Sequence, residues 1–219
     1  MQNWLPAILA FGLPLLATAL GVRLLLPWLR TRAMLDRPND RSSHKTPTPR
    51  GGGLALIVVM VVALWAIQIG TGASLWRLAL LSAAIALLTA VSWIDDRSGA
   101  DWRLRLAVQL MATVTGLFAI GLAPAEARLG LPAWLIGLVL TLGWMWFINL
   151  YNFMDGIDGI TGMETASIGI GLVVLAVVTL GAVAGQALAG LALAGAAIGF
   201  LVWNWHPARI FLGDVGSVP

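Results

Sequence analysis

The 219-residue sequence has no cysteine, a single tyrosine, two histidines and only 11% charged residues. Without cysteine there can be no disulfide framework, thiolate metal site or catalytic thiol, and redox chemistry says nothing about compartment. So few charges cannot clothe an ordinary soluble domain, of which about a quarter is charged. Hydrophobic residues make up 59% of the chain and the mean hydropathy is +0.90, so a bilayer is its natural solvent. The first residues, MQNW, lack the positive n-region of a signal peptide, and the apolar stretch that follows is too long for an h-region. It reads as a retained first span. The net charge of +3 and pI near 10.6 do not indicate a nucleic-acid partner, because the basic residues flank apolar runs instead of forming a face with interleaved aromatics.

Seven stretches are long and apolar enough to cross hydrocarbon as helices: Trp4 to Pro27, Leu54 to Ile69, Trp76 to Trp93, Leu104 to Leu122, Leu131 to Leu150, Ile160 to Leu180 and Leu188 to Trp205. The expected fold is all-α, a polytopic transmembrane helical bundle of about seven spans forming one integral membrane domain over residues 1–219. Cytoplasmic loops carry the excess of lysine and arginine. Placing the loop from Leu29 to Gly53 inside leaves only Arg77 and Arg128 of the 13 basic residues outside. The same parity puts every acidic residue but Glu126 at the cytoplasmic end. Most tryptophans sit near span ends, as a headgroup-level belt requires. Gly195 and Gly199 form a GxxxG inside the seventh span, which close helix packing explains.

Four polar clusters reach that face from segments far apart in sequence: DRPNDRSSHKTPTPRGGG (residues 36–53), WIDDRSG (93–99), NLYNFMDGIDGITG (149–162) and HPARIFLGDVGS (206–217). Each admits two readings. Asp95 and Asp96, adjacent at the end of the third span, suit a Mg²⁺-phosphate site, or else are neutralised by Arg97, Arg103 and Arg105 in a solvated loop. Asp155 and Asp158, each followed by glycine, could share one face towards a ligand with Asn149 and Asn152, or cap a helix and make a turn. Asp214 could present a carboxylate or simply occupy a turn. The first loop, rich in arginine and ending in Gly51-Gly52-Gly53, could bring guanidinium and backbone N–H groups to phosphate, or only fix topology and touch anionic headgroups. His44 and His206 read as phosphate donors or as ordinary interfacial residues.

In order and spacing, DRPNDRSSH, PTPRGGG, WIDD, NFMDGIDG and FLGDVGS resemble the motifs of the polyprenyl-phosphate N-acetylhexosamine-1-phosphate transferases, the MraY/WecA/WbpL group of glycosyltransferase family 4. The first loop most resembles bacterial enzymes that initiate O-antigen or similar surface polysaccharides. The resemblance implies transfer of a HexNAc-1-phosphate from a UDP-sugar to undecaprenyl phosphate with release of UMP. It implies Mg²⁺, with Mn²⁺ as a substitute, in a multi-pass protein of the bacterial inner membrane whose active face is cytoplasmic. By motif, Asp95 deprotonates or orients the lipid phosphate, and Asp96 and Asp214 serve in catalysis and hold the metal. Asn152, Asp155 and Asp158 bind the nucleotide side, and Lys45, Thr48 and Arg50 lie near phosphates or sugar. Whether a carboxylate attacks first or the lipid phosphate attacks directly stays open, as does assembly into a homodimer. Family members continue through about three further spans, so a C-terminally truncated chain is expected here.

Two rivals stand beside this reading. A transporter would place carboxylates at the bilayer midplane on broken helices, whereas these gather at span ends. A fragment that binds lipid or nucleotide without turnover is the other. The CDP-alcohol phosphotransferase signature and a DDxxD prenyltransferase pattern are both missing.

Overall fold

A computed structural model describes residues 4–32, 34–36, 46–122, 128–180 and 185–219. Seven helices are long and apolar enough to span a bilayer: α1 (Leu5–Thr31), α2 (Gly53–Thr71), α3 (Leu75–Ser98), α4 (Trp102–Ile120), α5 (Ala133–Met154), α6 (Ile160–Leu180) and α7 (Gly185–Asn204). A two-residue antiparallel pair, β1 (Leu35–Asp36) and β2 (Thr48–Pro49), follows α1, and a single turn of helix, α8 (Asp214–Ser217), closes the chain. The expected all-α bundle of seven spans is what forms. A bilayer offers no partner for a free backbone group, so each span satisfies its own N–H and C=O groups as helix.

At α1, α3 and α5 the helix runs past the end of the apolar stretch, whereas α4 stops at Ile120 and α7 at Asn204, short of it. The first helix runs four residues past Pro27, because Leu26 and Leu29 are buried and hold the last turn against the bundle. The third extends to Ser98 and carries Asp95 and Asp96 on its final turns, so WIDD is helical and not the loop expected from its polarity. The fifth continues to Met154 and takes Asn149 and Asn152 with it. Hydropathy marks where hydrocarbon ends, but helical hydrogen bonding continues into the headgroup layer.

Helix α7 is the centre of the bundle and the most buried span. Its two faces are cut from small residues. A Cβ on Gly195 would lie 2.2 Å from the carbonyl oxygen of Phe11, and one on Gly199 2.3 Å from that of Leu15, so α1 rides directly on the GxxxG. On the other side Gly190 and Gly169 bring α6 equally close, with a Cβ on Gly190 only 2.6 Å from the Gly169 oxygen. Close backbone approach of this kind drives association where the lipid itself is apolar. The Trp203 indole donates to the carbonyl of Ala19 (2.9 Å), tying α7 to α1 and not serving the headgroup belt.

A second half of the bundle joins α3, α4 and α5 around Leu88, Val108, Ala112 and Ile148, with Val218 packed among them. There the buried Gln109 side chain accepts from Asn149 Nδ2 at 2.8 Å. Interhelical bonds of this type average roughly 0.6 kcal/mol in a membrane protein. The Tyr151 hydroxyl bonds to Thr165 and to the Thr161 carbonyl, linking α5 to α6.

Candidate active site

Glycines decide how the first and last polar clusters meet. The amides of Gly51 and Gly52 both donate to the Phe211 carbonyl (3.2 and 3.0 Å), and that of Gly53 donates to Leu212 (2.9 Å). A Cβ on Gly53 would stand 2.2 Å from the Cα of Gly216, and a Cβ on Gly52 2.8 Å from the Phe200 ring. The three glycines therefore do not cradle an anion with their N–H groups. They let the start of α2 and the FLGDVGS segment lie backbone against backbone, which any side chain would prevent. Arg50 completes the joint. Its Nη2 donates to the backbone carbonyl of Asp96 (2.6 Å), and its Nε lies 3.5 Å from Asp96 Oδ1.

Asp96 is buried and its carboxylate is spoken for. One oxygen accepts the backbone N–H of Asp214 (3.2 Å), the other that of Val215 (3.1 Å). Gly213 adopts φ +76°, which turns the chain so that both amides face Asp96. This residue thus links α3, the first loop and α8, and sets the direction in which Asp214 projects.

Asp95, one residue earlier on the helix, points elsewhere. Its Oδ2 pairs with Arg105 Nη1 at 2.8 Å and its Oδ1 accepts from the Ala100 amide at 2.6 Å. The Asp214 carboxyl lies within electrostatic reach of both Asp95 and Asp96. Burial first, then Asp95 and the charge of Asp96, push the Asp214 carboxyl up to about 7, with Arg105 opposing.

Asp155, at the end of α5, joins the same group. It accepts from the Thr161 hydroxyl (2.5 Å). Its carboxyl is likewise pushed up to about 7, chiefly by burial and further by the charges of Asp214 and Asp96. Four aspartates from α3, the α5 end and α8 thus interact within one cluster, most of it cut off from water.

Asp158 does not share a face with Asp155. Its Oδ2 accepts from the Ala208 amide (3.0 Å) and lies 2.9 Å from His206 Nδ1, while its buried Oδ1 has no hydrogen-bond partner among the described residues. The DGIDG turn diverges because its two ends are held by different segments. Asn204, at the last turn of α7, fixes it by accepting from Gly159 N (3.0 Å) and donating to the Ile210 carbonyl (2.9 Å).

Among the other sequence-derived candidates, Asn152 accepts from the Ser217 hydroxyl (2.6 Å), which brings it beside α8. Thr48 is buried in β2 and donates to the Thr46 carbonyl, away from the carboxylates. Lys45 and His44 lie outside the described residues. Of the arginines offered as neutralising partners, Arg105 takes the role and Arg103 instead stacks over Trp102. Asn204, Thr161 and Ser217 carry site contacts that sequence reasoning did not single out. The only signal was a polar residue adjoining a motif, which is common to many positions.

The profile of glycosyl transferase family 4 matches residues 78–219. The chain belongs to this family. Three of the four clusters, WIDD, DGIDG and FLGDVGS, fall inside the matched region. Curated relatives of this family 4 chain include a "Probable undecaprenyl-phosphate N-acetylglucosaminyl 1-phosphate transferase" of Bacillus subtilis (strain 168), 28% identical over 84% of this chain and 51% of the relative. A decaprenyl-phosphate N-acetylglucosaminephosphotransferase of Mycobacterium leprae is 31% identical over 83% and 50%. A phospho-N-acetylmuramoyl-pentapeptide-transferase of Synechococcus sp. (strain JA-3-3Ab) is 33% identical over 95% and 64%. This family 4 chain therefore spans between half and two thirds of the length of these relatives.

Proposed function

We propose that this chain transfers a HexNAc-1-phosphate, or a related sugar-1-phosphate, from a UDP-sugar to a polyprenyl phosphate such as undecaprenyl phosphate. An oxygen of the lipid phosphate forms a bond to the sugar-bearing phosphorus, the bond from that phosphorus to UMP breaks, and UMP leaves with the electron pair. The names of these relatives support this class of reaction, since each names the transfer of a phosphosugar.

One observation carries the reading: Asp95, Asp155 and Asp214 meet at the end of the bundle where a bilayer-held phosphate and an aqueous nucleotide could both reach. Phosphoryl transfer asks a protein mainly for positioning and for stabilisation of charge. Among the described residues no three carboxylate or imidazole groups form a metal cage. That fits Mg²⁺, which typically takes one or two carboxylates together with substrate phosphates. The mutual repulsion of these carboxylates marks a place where a cation would be favoured. Asp214 would hold the ion, with Asp95 or Asp155 beside it. Asp96, whose oxygens already accept two amides, would keep Asp214 in place. When bound, the ion supplies neutralisation of the phosphate charges. Asp95 would orient or deprotonate the lipid phosphate, with Arg105 paired to its other side at 2.8 Å. The Oδ1 of Asp158, without a hydrogen-bond partner among the described residues, would accept from a donor on the nucleotide, and Asn152 lies beside α8.

The reaction would belong to initiation of bacterial surface-polysaccharide synthesis, at the cytoplasmic face of the inner membrane. UMP release from UDP-GlcNAc, UDP-GalNAc or UDP-MurNAc-pentapeptide, in the presence of undecaprenyl phosphate and Mg²⁺, tests it. Release that depends on the lipid phosphate is the expected result. No release with any of the three donors, from this chain and from a version extended past Pro219, would overturn the proposal.

A further inference from the structure

A cavity of about 350 Å³ lies apart from the carboxylate cluster, between the last turn of α1, the β1–β2 pair and the segment that follows α7. Its polar lining is two arginines, Arg30 and Arg209, and two threonines, Thr46 and Thr48. No carboxylate is among its described lining residues. Arg30 and Arg209 form no ion pair with any described residue. Arg209 is held by its backbone, whose N–H donates to the Trp203 carbonyl at 2.9 Å, and its guanidinium lies 6.0 Å from the Trp203 ring. Thr48 spends its hydroxyl on the Thr46 carbonyl.

Two arginines, with no acid among the described lining residues, favour an anion in the cavity even with the Asp158 carboxylate behind the Ala208 amide. Guanidinium forks match the oxygens of phosphate in pairs. Depth is the second argument. Arg30 sits two residues beyond Trp28 in the last turn of a spanning helix, and Arg209 lies five residues past the end of another, at the level where headgroups stand. Each arginine near an anionic leaflet contributes about 1 kcal/mol when free to slide along the surface. A walled cavity with two of them can instead select one phosphate group.

We infer that this cavity is a phosphate-binding site, separate from the carboxylate cluster, for a phosphorylated group held at headgroup level. It does not rest on the transferase reading. Asp158 marks the boundary between the two regions, because it binds the amide of Ala208, itself part of the cavity wall, while Asp155 turns to the catalytic group.

Two sources of phosphate are separated by two arms of one experiment. In the first, the purified chain in detergent is titrated with phosphatidylglycerol or phosphatidylcholine and bound lipid is counted by native mass spectrometry. In the second, inorganic phosphate is titrated and followed by ³¹P NMR line width. Both arms compare the unaltered chain with Arg30→Gln, Arg209→Gln and the double variant. Arg103→Gln, which removes a guanidinium stacked on exposed Trp102, is the control. Retained folding is checked by an unchanged thermal transition. The expected result is selective retention of phosphatidylglycerol, weakened on the order of fivefold by each substitution at Arg30 or Arg209 and unchanged by Arg103→Gln. Phosphate broadening lost in the double variant, without lipid selectivity, supports the same site and assigns it to a soluble phosphate. Equal binding by the unaltered chain and the double variant in both arms, or an equal loss in Arg103→Gln, overturns the inference.

Discussion

Burial and neighbouring carboxylates make ionisation costly for Asp155 and Asp214, and this governs the behaviour of single residues in the site. Asp155 and Asp214 are held at about 7 against an ordinary value of 3.8. Their folded forms therefore bind protons that the unfolded chain has released, so stability falls as pH rises from about 4 to about 7 and is flat above that. Thermal unfolding in detergent without divalent ions should follow this slope, and added Mg²⁺ at pH 8 should recover the lost stability. A transition that rises with pH over that window would contradict the clustering. Asp95→Asn and Asp214→Asn remove the groups placed against the reacting phosphates, and each is expected to lower kcat on the order of 10²-fold or more. The readout is UMP release, in a version shown to turn over. At this scale the motifs singled out the aspartates that the fold gathers, but not how they divide. Asp95 and Asp96 are neighbours in sequence and lie about 100° apart around a helix, so one faces Arg105 and the other the amides of α8.

Between elements, the decisive contact is the seating of FLGDVGS on Gly51 to Gly53. Gly53→Ala puts a methyl where Gly216 Cα already lies at 2.2 Å, backbone against backbone, with no flexible side chain to yield. Overpacking of this kind costs about 1–3 kcal/mol, and the displaced Asp214 should take activity with it. Gly12→Ala, with nothing within 4 Å of the new methyl, is expected to leave the thermal transition where it was. Equal effects of the two substitutions would show that the joint is not tightly packed. The GxxxG of α7 was legible as a packing motif because its spacing alone places both glycines on one helix face. Nothing in PTPRGGG said that its amides would be taken by Phe211 and Leu212, some 160 residues away. Spacing reports which groups share a surface, not which partner arrives there.

For the whole molecule, topology is the open consequence, and the absence of cysteine makes it simple to test. Ser98→Cys lies at the end bearing the carboxylates and Ala73→Cys in the α2–α3 connection at the other, and both positions are exposed. A membrane-impermeant maleimide added to spheroplasts should label Ala73→Cys alone, and in inverted vesicles Ser98→Cys alone. The reverse pattern would put the site on the wrong side for a cytosolic nucleotide-sugar.

The amino-acid sequence by itself determined the seven spans, because a helix in hydrocarbon must satisfy its backbone internally and length with apolarity suffices to specify it. It also determined that the polar motifs would fall at one end, which follows from the parity of the crossings. Only the tertiary structure decided that three glycines bind a carbonyl strand and not an anion, that Asp155 and Asp158 part company, and that Asp96 anchors α8. Each outcome depends on hydrogen-bond partners delivered from distant segments, and competition for a donor or a lone pair is settled by whichever group packs against it.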